Sequence, residues 1–388
     1  MTEAQDPRPV ASISGKTAAV TGASGFIGGR LVERLIELGV AVTCLLRGKP
    51  GVGLQATGAG FVTLDIADRE ALQRALHGVD HVFHLAYDWE DADWNFRALR
   101  ALISVCGEGH RRLVHTSSFV AYDIPPAGEL TEETIGTTAT CGYAHVKRAL
   151  DEELIKAVRQ GAVEAAIVQP TIVYGPRSAP WTVEPSEMLR HGTVVLPDRG
   201  EGVCNAVYVD DVVTGMILAA TEPAAIGQRF LISGEPVTWA QFYEAMAQAA
   251  GAKGPVYLPA EMIVDENRRL RKLQRIATSP RRMLRILAQR RLTGKLIRGG
   301  LRLLPGSLGA GARDRLYGPP SRQRKHIHMP DRGRLEFLQG RSTIRSGKAK
   351  RLLGYVPQFD LAAGMIPTAR FLAATTAGRS SWMKRPSS

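Results

Sequence analysis

Over the first 170 residues, short apolar runs alternate with stretches of helical spacing. Thr17 to Val20, Val40 to Leu46, Phe61 to Leu64, His81 to Ala86, Leu113 to Thr116 and Ala165 to Val168 read as strands. Between Phe26 and Leu38, the apolar positions Leu31, Leu35 and Leu38 recur at helical spacing. Further helical segments fall near Arg69 to Leu76, Trp94 to Val105 and Tyr143 to Val158. This alternation predicts a parallel sheet with helices on both faces. Right-handed crossovers then make residues 14–170 a doubly wound, Rossmann-like α/β domain.

Beyond Pro170 the pattern loosens. Short strands (Ala206 to Val209, Arg229 to Ile232) mix with helices (Val212 to Ala220, Trp239 to Ala250). Residues 171–375 therefore read as a smaller C-terminal, substrate-binding region. Within it one segment stands apart. Arg268 to Lys325 holds 18 Lys and Arg against a single acid, Asp314. The whole chain carries +13, so the remainder, at −4, is mildly acidic. In this segment Met283, Leu284 and Leu287 interleave with Arg281, Arg282, Arg285 and Arg290, an amphipathic helical pattern. Such a surface suits contact with an anionic membrane. The alternative is a helical lid whose arginines are solvated. Nucleic acid is disfavoured, since no aromatics interleave before Tyr317.

The four cysteines, Cys44, Cys106, Cys141 and Cys204, lie far apart, as in a reduced chain without a disulfide framework. The first residues lack the apolar core of a leader peptide, and no run of 18 apolar residues occurs. A cytoplasmic protein is expected, with membrane association through residues 268–325 as its one route to a bilayer. The first dozen residues and the stretch after Thr376 read as loose ends. The nine histidines form no close ligand pair except His326-Ile327-His328, which reads as a solvated turn; no metal is expected.

Two constellations carry chemistry. Thr21-Gly22-Ala23-Ser24-Gly25-Phe26-Ile27-Gly28 joins the first strand to the first helix. Glycines there permit a tight turn and close approach of a pyrophosphate, to which the helix end offers amides and a positive dipole. Tyr143 and Lys147 lie four residues apart in a helix and share a face. A nearby ammonium should lower the phenol's pKa and fit it for proton exchange with a substrate oxygen during hydride transfer. The second strand ends in Leu45-Leu46-Arg47, and no acid occurs between Val40 and Gly60 to hold a ribose 2′-hydroxyl. Arg47, with Lys49 behind it, suits a 2′-phosphate instead, so NADP(H) is expected over NAD(H).

With its GxxGxxG spacing, the chain resembles the extended short-chain dehydrogenase/reductase family, an NAD-dependent epimerase/dehydratase-like group. The resemblance runs from about Lys16 to Ala260 and again from Lys348 to Met365. It implies a cofactor site of Gly22, Ser24, Gly25, Phe26, Ile27, Gly28, Arg47, Asp65, Ile66, Leu85, Ala86 and Pro170, joined by Tyr143 and Lys147. It implies catalysis by Ser118, Tyr143 and Lys147. Ser118 is preferred to Ser117 because the family's catalytic hydroxyl sits four residues before a tyrosine, here Tyr122. Asn95 falls where the family has an asparagine supporting active-site water. Val173-Tyr174-Gly175-Pro176 and Val209-Asp210-Asp211 resemble two further signatures of the family. By analogy alone, a homodimer is a candidate assembly.

Three departures bear on the substrate. Phe119 and Val120 stand where related dehydratases carry Asp-Glu. Ile172 replaces an Asn, and Cys204 an Arg, found in many nucleotide-sugar enzymes. Loss of two donors argues against a diphosphate substrate. Tyr87, Trp89, Trp94 and Trp181 are candidates for an apolar pocket wall. The expected activity is hydride transfer to or from a small, non-nucleotide ketone or alcohol. The alternatives are a nucleotide-sugar 4-epimerase, and a non-catalytic cofactor sensor gripping membrane or RNA through the basic segment.

Overall fold

The computed structural model describes residues 10–124, 127–134, 142–266, 268 and 326–382. Strands that are apolar at consecutive positions need cover on both faces, and the sheet supplies it. Seven parallel strands, β1 (Thr17–Thr21), β2 (Ala41–Leu46), β3 (Gly60–Thr63), β4 (His81–His84), β5 (Arg112–Thr116), β6 (Ala165–Pro170) and β7 (Arg229–Ile232), lie in the order β7-β6-β5-β4-β1-β2-β3. Side chains alternate between two cores. Ala18, Val20, Val114, Ala166 and Val168 face helices α1 (Phe26–Glu37) and, later in the chain, Val209–Thr221. Ala19, Leu113, Ala165 and Ile167 face α2 (Arg69–Ala75), α3 (Ala92–Glu108) and α4 (Tyr143–Arg159). Asp68 and Asp91 cap α2 and α3 by accepting backbone N–H bonds in the first turn.

The chain leaves β1 toward one edge and β4 toward the other. Their carboxyl ends flank the switch point where a doubly wound sheet opens its crevice. The edge strand β7 comes from well beyond residue 170, so the sheet draws on both parts of the chain. Small parallel pairings complete the second half: Ile172–Tyr174 with Ala206–Tyr208, Ala127–Leu130 with Arg341–Ile344, and Gly192–Pro197 with Val256–Leu258 and His326–His328.

Several boundaries differ from the sequence reading. β4 ends at His84; beyond it Leu85 N–H still reaches the Thr21 carbonyl, and Leu85 and Ala86 N–H both bond the Thr21 hydroxyl. Val209 opens a helix, α5 (Val209–Thr221), rather than closing a strand. His326-Ile327-His328 is a strand, not a turn. The last helix, Leu361–Trp382, runs past Thr376. Cys44, Cys106 and Cys204 are buried and free. Among the described residues no helix is long and apolar enough to cross a membrane. Apart from Arg268, the basic segment Arg268 to Lys325 lies outside the described residues, and with it the membrane, lid and nucleic-acid readings.

One buried carboxylate fastens the C-terminal part to this frame. Asp211 of α5 accepts the backbone N–H groups of Gln358 (2.7 Å) and Phe359 (3.2 Å), just after the buried ring of Tyr355. Leaving both donors unmet should cost about 2–4 kcal/mol. Asp211→Ala is therefore expected to lower the unfolding free energy by that amount, read as a lower urea midpoint at unchanged slope. A midpoint equal to that of the parent protein would show that the tail is held by other contacts.

Candidate active site

The turn after β1 is shaped by how closely two backbones approach. Gly22 has φ +68°, and a Cβ there would lie 2.7 Å from the Ala86 nitrogen and the Leu85 carbonyl carbon. A Cβ on Gly28 would lie 2.2 Å from the Gly22 oxygen. The Gly25 amide donates to that same oxygen at 2.9 Å. Thr21 locks the junction: its hydroxyl accepts from Leu85 and Ala86 N–H, both at 3.1 Å, and pairs with His84 Nδ1 at 2.9 Å. Gly25 caps α1 without a side-chain bond, which leaves first-turn amides open to an anion.

From this turn a cavity of about 910 Å³ extends along the carboxyl edge of the sheet. Of the predicted cofactor positions, Gly22, Ser24, Gly25, Phe26, Ile27, Arg47, Ile66, Leu85, Ala86, Tyr143, Lys147 and Pro170 line it. Gly28 and Asp65 do not. Gly28 acts from behind, by letting α1 pack on the turn. Asp65 accepts the indole N–H of Trp94 at 2.8 Å. That indole in turn lies 4.9 Å beneath the Arg47 guanidinium, which donates to Asp88 at 2.6 Å. The Arg47 guanidinium, then the Asp91 and Glu90 amides, hold the Asp88 carboxyl down at about 2. Nothing in the sequence marked Asp88 as Arg47's partner. Asn95 also has partners that the sequence did not mark. Its amide accepts from Asp88 N–H and donates to the carbonyls of Asp88 and Asp91, so it ties the loop 88–91 to α3.

Ser118, Tyr143 and Lys147 all line this cavity. Ser118 follows β5; its hydroxyl accepts from Val120 N–H at 3.5 Å, and the side chain lies near enough to Tyr143 to favour the ionised phenol. Neighbouring Ser117 instead donates to Asp151 at 2.8 Å, so the two serines divide front from back. Lys147 is buried and donates to the Thr116 carbonyl at 2.9 Å, with its ammonium 4.6 Å from the Tyr87 ring centre. The Tyr143 ring stacks on exposed Trp89 at 4.7 Å and meets Tyr87 edge-on at 5.2 Å. One expectation is reversed. Burial pushes the Tyr143 phenol up to about 12, and Ser118 only partly offsets it. Lys147 does not bring it down, because its ammonium is turned to the Thr116 carbonyl and lies 5.8 Å from the ring centre. The phenol therefore keeps its proton at neutral pH. Beyond the triad, Phe119, Val120, Val173, Pro180, Trp181 and Phe337 wall the cavity.

A family model described as the NAD dependent epimerase/dehydratase family matches residues 18–233, more than half of the chain. This chain belongs to that family. Among its relatives is 2-alkyl-3-oxoalkanoate reductase of Shewanella oneidensis, 28% identical over 60% of this chain and 66% of that protein, just under two thirds. Another is sterol demethylase protein B of Methylococcus capsulatus, 29% identical over 62% of this chain and 76% of that one. In fold the chain is similar to UDP-glucose 4-epimerase of Thermotoga maritima, with a TM-score of 0.65, 22% identity, and cover of 93% of this chain and 99% of that one.

The family member described here is an NAD(P)-dependent enzyme of the extended short-chain dehydrogenase/reductase type. Its residues fit a dinucleotide: the side-chain-free turn leaves room for a pyrophosphate, and the uncapped end of α1 faces it with amides. An added methyl that must push main chain aside costs about 1–3 kcal/mol. Gly28→Ala is thus expected to weaken NAD(P)H binding about tenfold or more, read by nicotinamide fluorescence. Unaltered affinity would mean that the pyrophosphate sits elsewhere.

Proposed function

We propose that this enzyme is an NADP(H)-linked reductase of an apolar ketone, equally a dehydrogenase of the matching alcohol, with Ser118, Tyr143 and Lys147 as catalytic groups. The observation that carries the reading is that Ser118, Tyr143 and Lys147 line one cavity with Trp89, Phe119, Val120, Trp181 and Phe337. The names of two relatives, a 2-alkyl-3-oxoalkanoate reductase and a sterol demethylase protein B, support it. A nicotinamide held along the glycine turn would supply the hydride. Tyr143 donates its phenolic proton to the carbonyl oxygen, so one O–H bond breaks as another forms. Ser118 donates a hydrogen bond to the same oxygen as negative charge gathers there. Lys147, held by the Thr116 carbonyl with its ammonium 5.8 Å from the Tyr143 ring centre, would hold the nicotinamide ribose rather than bond the phenol. Apolar walls exclude water from this exchange and favour a hydrophobic substrate body.

The cofactor preference rests on Arg47. Its guanidinium borders the cavity, stacked on Trp94, with Lys49 beside it. Bidentate bonding to a ribose 2′-phosphate is the use that this geometry supports best.

Two measurements test the proposal. Initial rates of NADPH oxidation should be followed with 2-alkyl-3-oxoacyl compounds and 3-ketosteroids, with UDP-glucose epimerisation as the contrasting assay. Tyr143→Phe is expected to lower kcat about 10²- to 10⁴-fold while NADPH still binds. Near-parental turnover by that variant, or turnover of UDP-glucose alone, would overturn the assignment. Arg47→Ala is expected to weaken NADPH binding about 10- to 100-fold, with little change for NADH. Equal affinities for the two cofactors in the parent protein would remove the preference.

A further inference from the structure

Behind the catalytic edge lies a buried polar layer that the chemistry above does not use. Asp151 stands one helical turn beyond Lys147 on α4 and is 2% exposed. Its Oδ2 accepts from Ser117 Oγ and from Gln169 Nε2, both at 2.8 Å. Among the described residues its Oδ1 has no hydrogen-bond partner, and His115 Nε2 is 3.8 Å away. An asparagine would keep both hydrogen bonds without bringing a charge into the interior. The charge therefore calls for a purpose beyond clamping α4 to β5 and β6.

We infer that Asp151 is a positioning residue: a buried carboxylate, exchanging its proton with solvent through a rear cleft, that holds Lys147 as an ammonium beneath Tyr143. Lys147 is 5% exposed, and among the described residues its ammonium donates to a neutral carbonyl, that of Thr116. Burial in such surroundings favours the uncharged amine. The two histidines of this layer give no help. His84 and His115 stack at 5.2 Å, and burial holds both neutral, His84 at about 3. Asp151 supplies the opposing negative charge. Burial raises its carboxyl and lowers the Lys147 ammonium, while each one's charge works against the other's shift.

The layer opens to the back, away from the cofactor. Asp151, Gln169 and Tyr122 line a cleft of about 160 Å³ with Glu132, Glu133, Arg148, Glu152 and Arg229. None of these residues lines the front cavity, and Ser117 bridges the two sides. Within the cleft, the Tyr122 hydroxyl donates to Gln169 Oε1 at 2.7 Å, which extends the chain of bonds. Arg229 of β7 adds a cation that favours ionised Asp151. Arg148 is bonded to Ala121 and Asp123, and Glu132 accepts from Leu231 N–H, so neither competes for Asp151. Asn95 offers no other link, because its amide is spent on the loop 88–91.

This inference rests on the catalytic reading of Lys147, yet its test needs no substrate. The full chain is labelled at lysine 13Cε, and the Lys147 resonance, assigned by its loss in Lys147→Arg, is followed against pH. Asp151→Asn should move the Lys147 titration down by about one pH unit or more, and Asp151→Glu should restore it. In the parent chain the same resonance should carry a second, smaller inflection where Asp151 takes up its proton. Ser117→Ala removes a bond to the carboxylate and should move that inflection to higher pH, which decides the matter even if Asp151→Asn fails to fold. Identical Lys147 titrations in parent and Asp151→Asn, or an inflection that Ser117→Ala leaves in place, would overturn the inference. Full turnover by Tyr143→Phe would sink the catalytic reading instead and leave these titrations standing.

Discussion

The site depends on one close approach, between the end of β1 and the end of β4. The Thr21 hydroxyl takes the N–H groups of Leu85 and Ala86, and Gly22 has no side chain to hold those backbones apart. β4 ends at this junction, at His84, and the chain swings outward. The loop that follows then carries Tyr87 beside Lys147, Asp88 to Arg47, and Trp89 over Tyr143. The same junction turns the chain into α1, whose first amides face the crevice. Cofactor seat and catalytic wall are thus two consequences of one backbone contact.

A second constraint comes from burial. The carboxyl edge of the sheet is polar on its inner side, with His84, His115, Asp151 and Gln169 all nearly inaccessible. Charges in such a layer are costly unless paired. Both histidines stay neutral, and the charge is confined to Lys147 and Asp151. The same burial holds Tyr143 protonated. A proton donor is what the proposed reduction would ask of Tyr143, and desolvation favours it without any basic neighbour bonding the phenol.

Much of this was legible in the sequence, and the reasons are local. Consecutive apolar positions in Ala18-Ala19-Val20 and Ala165 to Val168 required two-sided burial, and the glycine spacing after β1 required a tight turn. Four-residue spacing put Tyr143 and Lys147 on one face of α4. Partners distant in sequence were not legible. Pairing of Ala127–Leu130 with Arg341–Ile344 spans more than 200 residues and leaves no periodic trace. Asp88 and Asp151 look like ordinary surface acids, although the i to i+4 relation of Asp151 to Lys147 was a signal that helical geometry offered. The reversed shift of Tyr143 depends on depth of burial, which spacing does not encode.

The Arg47–Asp88 pair shows how such a partner changes a functional argument. Arg47 remains 59% exposed, and an ion pair so open to water is weak. Its guanidinium is therefore free to exchange one oxygen partner for another, while the Trp94 ring keeps it at the nucleotide end of the cavity. Asp88 does not need Arg47 to stay ionised, because the amides of Glu90 and Asp91 also bond its carboxylate. A phosphate arriving at Arg47 thus gains a bidentate donor and meets a fixed negative charge nearby. The proposed selectivity for the phosphorylated cofactor is the balance of those two effects. It favours the phosphate to the extent that the guanidinium can pivot on Trp94 away from Asp88, because like charges are screened steeply with distance in water while the bidentate bond is not.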